Sequence, residues 1–229
     1  MLDRFKKSPP REQLLFRDAD KLFRNGYLPV PLIFGDSQPP VSPGYAYVDD
    51  TRHGSLADCG IAIYTGAPPH MHEDFAVVEA SWLVTVDVVT SSKAIGKAVD
   101  ALIAARFPKL PAVRRTTGTH DSLFVFALGE KIPFPAPSRP TRWFQLPRDK
   151  GSDRLHYGRV QSAQGIFTYS GLSTVGTPHG HNPDGAPFYW ERDLTQVRSV
   201  DLPRLDYETA DTLWADIETV FEANGADWG

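Results

Sequence analysis

Between residues 11 and 25 the apolar positions Leu14, Leu15, Ala19, Leu22 and Phe23 recur at helical spacing, and Gly26 follows where a left-handed residue would close the helix. Residues 27–34 form a β-branched and aromatic run whose Pro29 and Pro31 cannot donate to a central ladder, which predicts an edge strand. A proline-rich loop is read from residue 36 to 44, then a short buried strand over residues 59–66. Residues 75–89 are almost continuously apolar, the pattern of strands covered on both faces, and predict the central sheet. A second helical stripe (Ile95, Val99, Leu102, Ile103, Phe107) starts after Ser91 or Ser92, either of which suits an N-cap.

That strand, the helix and Ala112-Val-Arg-Arg115 make a βαβ-like unit, and residues 123–128 give a further strand. The proline-rich stretch 131–140 predicts a connector between two modules, one of α/β type over residues 10–135 and one over residues 141–225. In the second, short runs at 143–146, 165–169, 188–190 and 196–198 are separated by turn residues, as in an antiparallel meander. A last helix is predicted over 207–223, with Ala210, Leu213, Trp214, Ile217, Val220 and Phe221 inward and Asn224-Gly225 as its stop. The expected class is α/β (α+β): an N-terminal α/β module packed on a mostly antiparallel C-terminal module, with a cleft between them, within one domain spanning residues 1–229.

Composition narrows the function. With 41% hydrophobic and 23% charged residues, the 229-residue chain has enough apolar surface to build a core. No apolar stretch reaches the length of a membrane span, and the N-terminus leads into Pro9-Pro10 and not a signal-peptide core, so a cytoplasmic, membrane-free protein is expected. Cys59 is the sole cysteine, which excludes an intrachain disulfide and a thiolate zinc site. A net charge of −4 gives no global attraction for a polyanion, so nucleic-acid contact requires a local patch. No Walker-type phosphate loop is present, and any unwinding would come from a separate helicase or replication protein.

Several segments, in order, carry a resemblance: Asn25-Gly-Tyr-Leu-Pro-Val-Pro-Leu32, Gly60-Ile-Ala-Ile-Tyr-Thr-Gly66, Leu83-Val-Thr-Val-Asp87, Pro111-Ala-Val-Arg-Arg115 with Thr117-Gly-Thr-His120, Gly180-His-Asn-Pro-Asp-Gly-Ala-Pro-Phe-Tyr-Trp190 and Leu202-Pro-Arg-Leu205. Together, over roughly residues 10–225, they resemble the primase-polymerase (prim-pol) domains of the archaeo-eukaryotic primase superfamily, in the form found in phage and plasmid replication proteins. The resemblance implies in-line attack of a 3′-hydroxyl on a nucleoside triphosphate, with two divalent cations, Mg²⁺ or Mn²⁺, about 4 Å apart held by three carboxylates. Two of these carboxylates sit at i and i+2 of one strand, because such residues share a sheet face.

By that resemblance Asp87 takes the first acidic place and is the catalytic and metal-binding candidate, His120 meets the triphosphate, and Arg114 and Arg115 are phosphate partners. Departures are serious: Val89 stands in the second acidic place, and residues 158–165, where the third acid is sought, contain no Asp or Glu. Rescue would need Asp121 or Glu79 to turn toward Asp87. Apart from the resemblance, Asp87 reads as a strand-end residue capping the helix near Ser91, and His120 as a turn residue. His70-Met-His72-Glu73-Asp74 and His179-Gly-His181-Asn-Pro-Asp184 pack ligand types closely, yet both read first as polar turns. Asp121, His179, His181, Tyr189 and Trp190 are the further cleft candidates, and Trp143, Tyr189 and Trp190 are aromatics able either to stack on bases or to fill a core.

The function expected from these features is a nucleotide- and nucleic-acid-binding protein of mobile-element DNA replication, weakly active or inactive as a nucleotidyltransferase, with single-stranded or primed DNA and nucleoside triphosphates as partners. The alternatives are an active metal-dependent primase-polymerase and a non-catalytic protein-interaction scaffold.

Overall fold

The computed structural model describes residues 11–33, 59–65, 83–117, 119–128, 141–146, 157–161, 166–170 and 188–228. Among them the chain forms α1 (Arg11–Arg24), β1 (Pro29–Ile33), β2 (Cys59–Tyr64), β3 (Leu83–Val89), α2 (Lys93–Arg106), β4 (Ala112–Thr116), β5 (Ser122–Leu128), β6 (Arg142–Gln145), β7 (Tyr157–Gln161), β8 (Ile166–Ser170), β9 (Phe188–Trp190), β10 (Arg204–Leu205), α3 (Tyr207–Ala223) and β11 (Asp227–Trp228). Two sheets result: a small one in the order β1-β2-β8, and a large one in the order β11-β6-β7-β3-β5-β4-β9, with β10 alongside β5. All described pairings are antiparallel except the short β10–β5 pair. The architecture is mixed α and β with a mostly antiparallel sheet.

Strands β3 and β4 both run antiparallel to β5, which lies between them, so they are parallel to each other and α2 connects them. The βαβ-like unit read from the sequence is thus a split one, with the following strand inserted between its two arms. Because β3 and β5 are flanked on both edges and covered on both faces, both are apolar at most positions, with Thr85 and Asp87 of β3 and Ser122 of β5 as the polar ones, and all seven residues of β5 are buried. Pro29 and Pro31 sit in β1, an outer strand of the small sheet among the described residues, where a strand can carry residues that lack an N–H.

Strand alternation divides the large sheet into two faces. On one, Val84, Val86, Val88, Val113, Phe124, Phe126, Phe144 and Val160 pack with Ile95, Val99 and Ile103 of α2 and with Leu213, Trp214, Ile217 and Phe221 of α3. On the other, Leu83, Ala112, Leu123, Val125 and Ala127 pack with Ala19 and Leu22 of α1, Ile61 and Ile63 of β2, and Phe167 and Tyr169 of β8. Each fully buried side chain of this size contributes about 1.5–3 kcal/mol, and two such layers account for a single folded body.

The helix ends follow local chemistry. Ser92 caps α2, its hydroxyl accepting from Ile95 N, and Asp206 caps α3, its carboxylate accepting from Thr209 N at 2.7 Å. After α1, Gly26 adopts φ 85°, and Tyr27 N–H returns to Leu22 O.

Three expectations change. The proline-rich stretch 131–140 lies outside the described residues, and the strands beyond it are not a separate module: β6 and β7 continue the sheet of β3–β5, β9 pairs with β4, and β8 completes the small sheet. For the same reason there is no C-terminal meander among the described residues. Residues 196–198 are not a strand; the Asp193 carboxylate accepts from Thr195 N and Oγ1, and Gln196 N–H bonds to Asp193 O, which winds the segment into turns. No helix of the described residues is long and apolar enough to cross a membrane.

Candidate functional site

The sheet face that packs on β2, β8 and α1 is apolar at one end of its strands and polar at the other. The register places Gln161, Asp87, Leu123, Arg114 and Trp190 in one cross-strand row of that face. Two residues along, Trp143, Arg159 and Val89 form the neighbouring row on the same face. Asp87 is therefore met from β7 by two polar side chains. Gln161 Nε2 donates to Asp87 Oδ2 at 2.8 Å, and Arg159 Nη2 donates to the same oxygen at 3.4 Å. Gln161 is itself oriented by the Thr141 hydroxyl, which donates to its Oε1 at 3.3 Å. Asp87 is 16% exposed in its side chain, so the charge-assisted bonds work in a partly dehydrated setting and are stronger than at an open surface.

Arg159 connects this carboxylate to the outside. Its guanidinium lies 5.4 Å from the centre of the Trp143 ring, while its buried Nε has no hydrogen-bond partner among the described residues. Behind the pair, Asp121 Oδ1 accepts from Thr90 N at 2.8 Å. Burial pushes the Asp121 carboxyl above the ordinary carboxylate range, the Thr90 N–H and Thr119 bonds oppose this, and the charge of Asp87 adds to the rise. Burial likewise lowers the pKa of Arg114, against the pull of Asp87 and Asp121, and its guanidinium lies 4.6 Å from the centre of the Phe188 ring. Two carboxylates and two guanidinium groups thus share one partly enclosed polar patch with no excess of charge.

The structure separates the candidate residues. Asp87, Asp121 and Arg114 come together. Arg115, one residue from Arg114, projects from the helix face, where it pairs with Asp100 at 2.9 Å and Glu191 at 3.1 Å and also bonds Ser122 Oγ. Burial lowers its pKa, but these bonds outweigh that and hold it above the ordinary value. His120 also turns to the helix side: its Cβ would stand 2.9 Å from a Cβ at Gly96 of α2, and its N–H bonds to Thr90 O. Tyr189, in register with Arg115, is partly exposed on that same helix face. Trp190 is core, its Nε1 donating to Tyr169 O and its ring stacked on Tyr169 at 5.5 Å. Trp143 is the aromatic that stands on the Asp87 side and is half exposed. Asp87 does not cap α2, since Ser92 does and the Asp87 carboxylate faces β7. Glu79, His70, His72, Glu73, Asp74, His179, His181 and Asp184 lie outside the described residues.

Arg159 and Gln161 are the functional side chains that the sequence reading did not name. They occupy the segment in which a third acid was sought, and the available signal was a polar pair at i and i+2 beside the glycine of Tyr157-Gly-Arg-Val-Gln161.

A pair of divalent cations does not fit these residues. Val89 has no donor atom, Asp87 Oδ2 is already held by an amide and a guanidinium, and the β7 positions facing Asp87 and Val89 carry Gln161 and Arg159. Among the described residues no three His, Cys, Asp or Glu side chains gather as metal ligands. The arrangement can hold a carboxylate in place, bind flat or polar ligands at its Trp143 rim, and exclude a cation from Asp87 through the fixed positive charge of Arg159. No protein-family model matches the chain, and no curated protein is similar to it.

Proposed function

We propose that this chain is a primase-polymerase-like protein that binds single-stranded nucleic acid and nucleotides and does not perform metal-dependent nucleotidyl transfer. The observation that carries the reading is the closure of Asp87 by Gln161 and Arg159, with Val89 at the adjacent position on the same face. A guanidinium supplies the positive charge that a cation would bring, but it cannot take an alkoxide or phosphoryl oxygen into a coordination shell as Mg²⁺ does. Binding chemistry survives this exchange, whereas the transfer step loses its Lewis acid. The mobile-element replication setting, with a separate helicase as partner, follows only from the sequence resemblance and is part of the proposal.

The test is two measurements on one preparation. Retention of a single-stranded oligonucleotide should fall steeply with salt. Incorporation of labelled nucleotide on a primed template, in Mg²⁺ or Mn²⁺, should stay at background. Failure to bind would leave a protein-contact scaffold as the better reading.

One observation favours a working enzyme instead. Asp121 lies on the Asp87 side, close enough for each charge to be felt by the other, so a rearrangement of Arg159 would leave two acids facing one another. Metal-dependent extension abolished by Asp87→Ala would establish that reading and overturn ours.

A further inference from the structure

We infer that Trp143 is the platform on which one unpaired base of a single-stranded polynucleotide stacks. The inference rests on the binding reading above and names the contact through which it acts. Trp143 is 50% exposed, whereas Trp190 on the same sheet face is buried in the core. Its position is not incidental. Arg159, its cross-strand partner, lies with the guanidinium carbon 5.4 Å from the ring centre, and that guanidinium is anchored in turn on Asp87. Holding Arg159 there leaves its buried Nε without an acceptor among the described residues, a cost accepted in one pose of the side chain and not at random. One side of the indole is therefore backed by a fixed cation and the remainder meets solvent.

That backing selects the ligand. A positive group already draws on the electron density of the ring, so a second cation, such as a quaternary ammonium, is repelled. Partners that stack through C–H groups, such as a sugar or a proline ring, also need an electron-rich surface and are weakened. A flat π system of its own electron density is favoured, and a nucleobase is the common one that arrives joined to an anionic backbone. Arg142, beside Trp143 in β6, turns to the helix face, where it pairs with Glu218 of α3 at 3.8 Å, so the positive charge beside the platform is that of Arg159. Tyr189 stands on the opposite face at the far edge of the sheet, and Trp190 is buried, so neither extends the platform.

The experiment is fluorescence anisotropy of a labelled single-stranded thymidine oligonucleotide at low salt with the wild type, Trp143→Phe and Trp143→Leu. Loss of the ring in Trp143→Leu should weaken binding by roughly 5- to 150-fold, while Trp143→Phe keeps most of it. As a check that does not depend on the leucine variant folding, quenching of tryptophan emission by the oligonucleotide should be strong in the wild type and largely lost in Trp143→Phe. Equal affinity of the wild type and Trp143→Leu would overturn the platform and leave the binding reading standing. Absence of oligonucleotide binding by the wild type would overturn both. Tighter binding of thymidine monophosphate than of the oligonucleotide would overturn the strand as its occupant.

Discussion

Gly158 is where the site depends most directly on the packing beneath it. A Cβ at this position would lie 2.3 Å from Phe221 Cε1, 3.0 Å from Phe221 Cδ1 and 3.2 Å from Leu146 Cδ2. Favourable carbon contacts lie near ~3.5–4.0 Å, so either the Phe221 ring or β7 must move by more than about 1 Å. The ring has little room: Phe221 is fully buried and stacked on Phe144 at 4.6 Å and 24°. Overpacking of a filled core costs about 1–3 kcal/mol, and an overlap of this depth belongs at the upper end, so Gly158→Ala should destabilise the protein by ~3 kcal/mol. For a chain of this size that lowers Tm by roughly 6–12 °C. Urea denaturation followed by circular dichroism measures it. A double-mutant cycle with Phe221→Leu isolates the cause, because a smaller residue at 221 should relieve at least ~1 kcal/mol of the penalty. A Gly158→Ala protein within about 0.5 kcal/mol of the wild type, or strict additivity in the cycle, would refute the reasoning. Since β7 also carries Arg159 and Gln161, the same substitution should disturb the contacts to Asp87.

Gln161→Glu sets a second carboxylate against Asp87, and like charges opposed across a ladder should cost about 1 kcal/mol at neutral pH. The introduced carboxylate repels only when ionised, so the deficit should shrink as pH falls through the ordinary glutamate range, about 4.3, and the variant should gain a stabilising response to Mn²⁺ that the wild type lacks. Thermal melts at pH 4 and 8, with and without metal, decide it. Asp121 presents the opposite case. Its folded-state pKa is raised chiefly by burial, so the unfolded chain releases the proton first and stability falls as pH rises from the ordinary carboxylate range through the raised value. Asp121→Asn keeps an oxygen for Thr90 N–H and should therefore melt at or above the wild-type temperature at pH 7, with the advantage fading below about pH 4; a clear loss at pH 7 would contradict the assignment. Ser92→Ala removes the α2 cap and should cost about 1 kcal/mol in the same assay.

What could be read from the sequence follows how local the signal is. The three helices were legible because apolar stripes, caps and the closing residues Gly26 and Gly225 lie within a few residues of one another. Strands β3 and β5 were legible because double-sided burial leaves a mostly apolar, β-branched and aromatic run. Strand β7 was not: in Tyr157-Gly-Arg-Val-Gln161 the strand formers Tyr157 and Val160 are separated by a glycine and a charge, and the inward positions on the helix face are a glycine and a valine. Its glycine is small because Phe221 fills the space, a fact that exists only once α3 has packed. At the site, Asp87, Asp121 and Arg114 were named through the prim-pol resemblance, and Arg114 and Arg115, as neighbours on one strand, diverge to opposite faces. That Arg159 and Gln161 close on Asp87 depends on a pairing across more than seventy residues, and no local pattern encodes that register.

The central claim is that the carboxylate of Asp87 is satisfied by side chains and holds no divalent cation, and thermal denaturation of the wild type in rising Mn²⁺ tests it most directly. A true site filled at a hundred times its Kd would contribute about 2.7 kcal/mol, equivalent to a Tm increase of roughly 5–11 °C. The account predicts a change within about 1 °C, the same for the wild type and Asp87→Asn. A rise of several degrees that Asp87→Asn abolishes would contradict it.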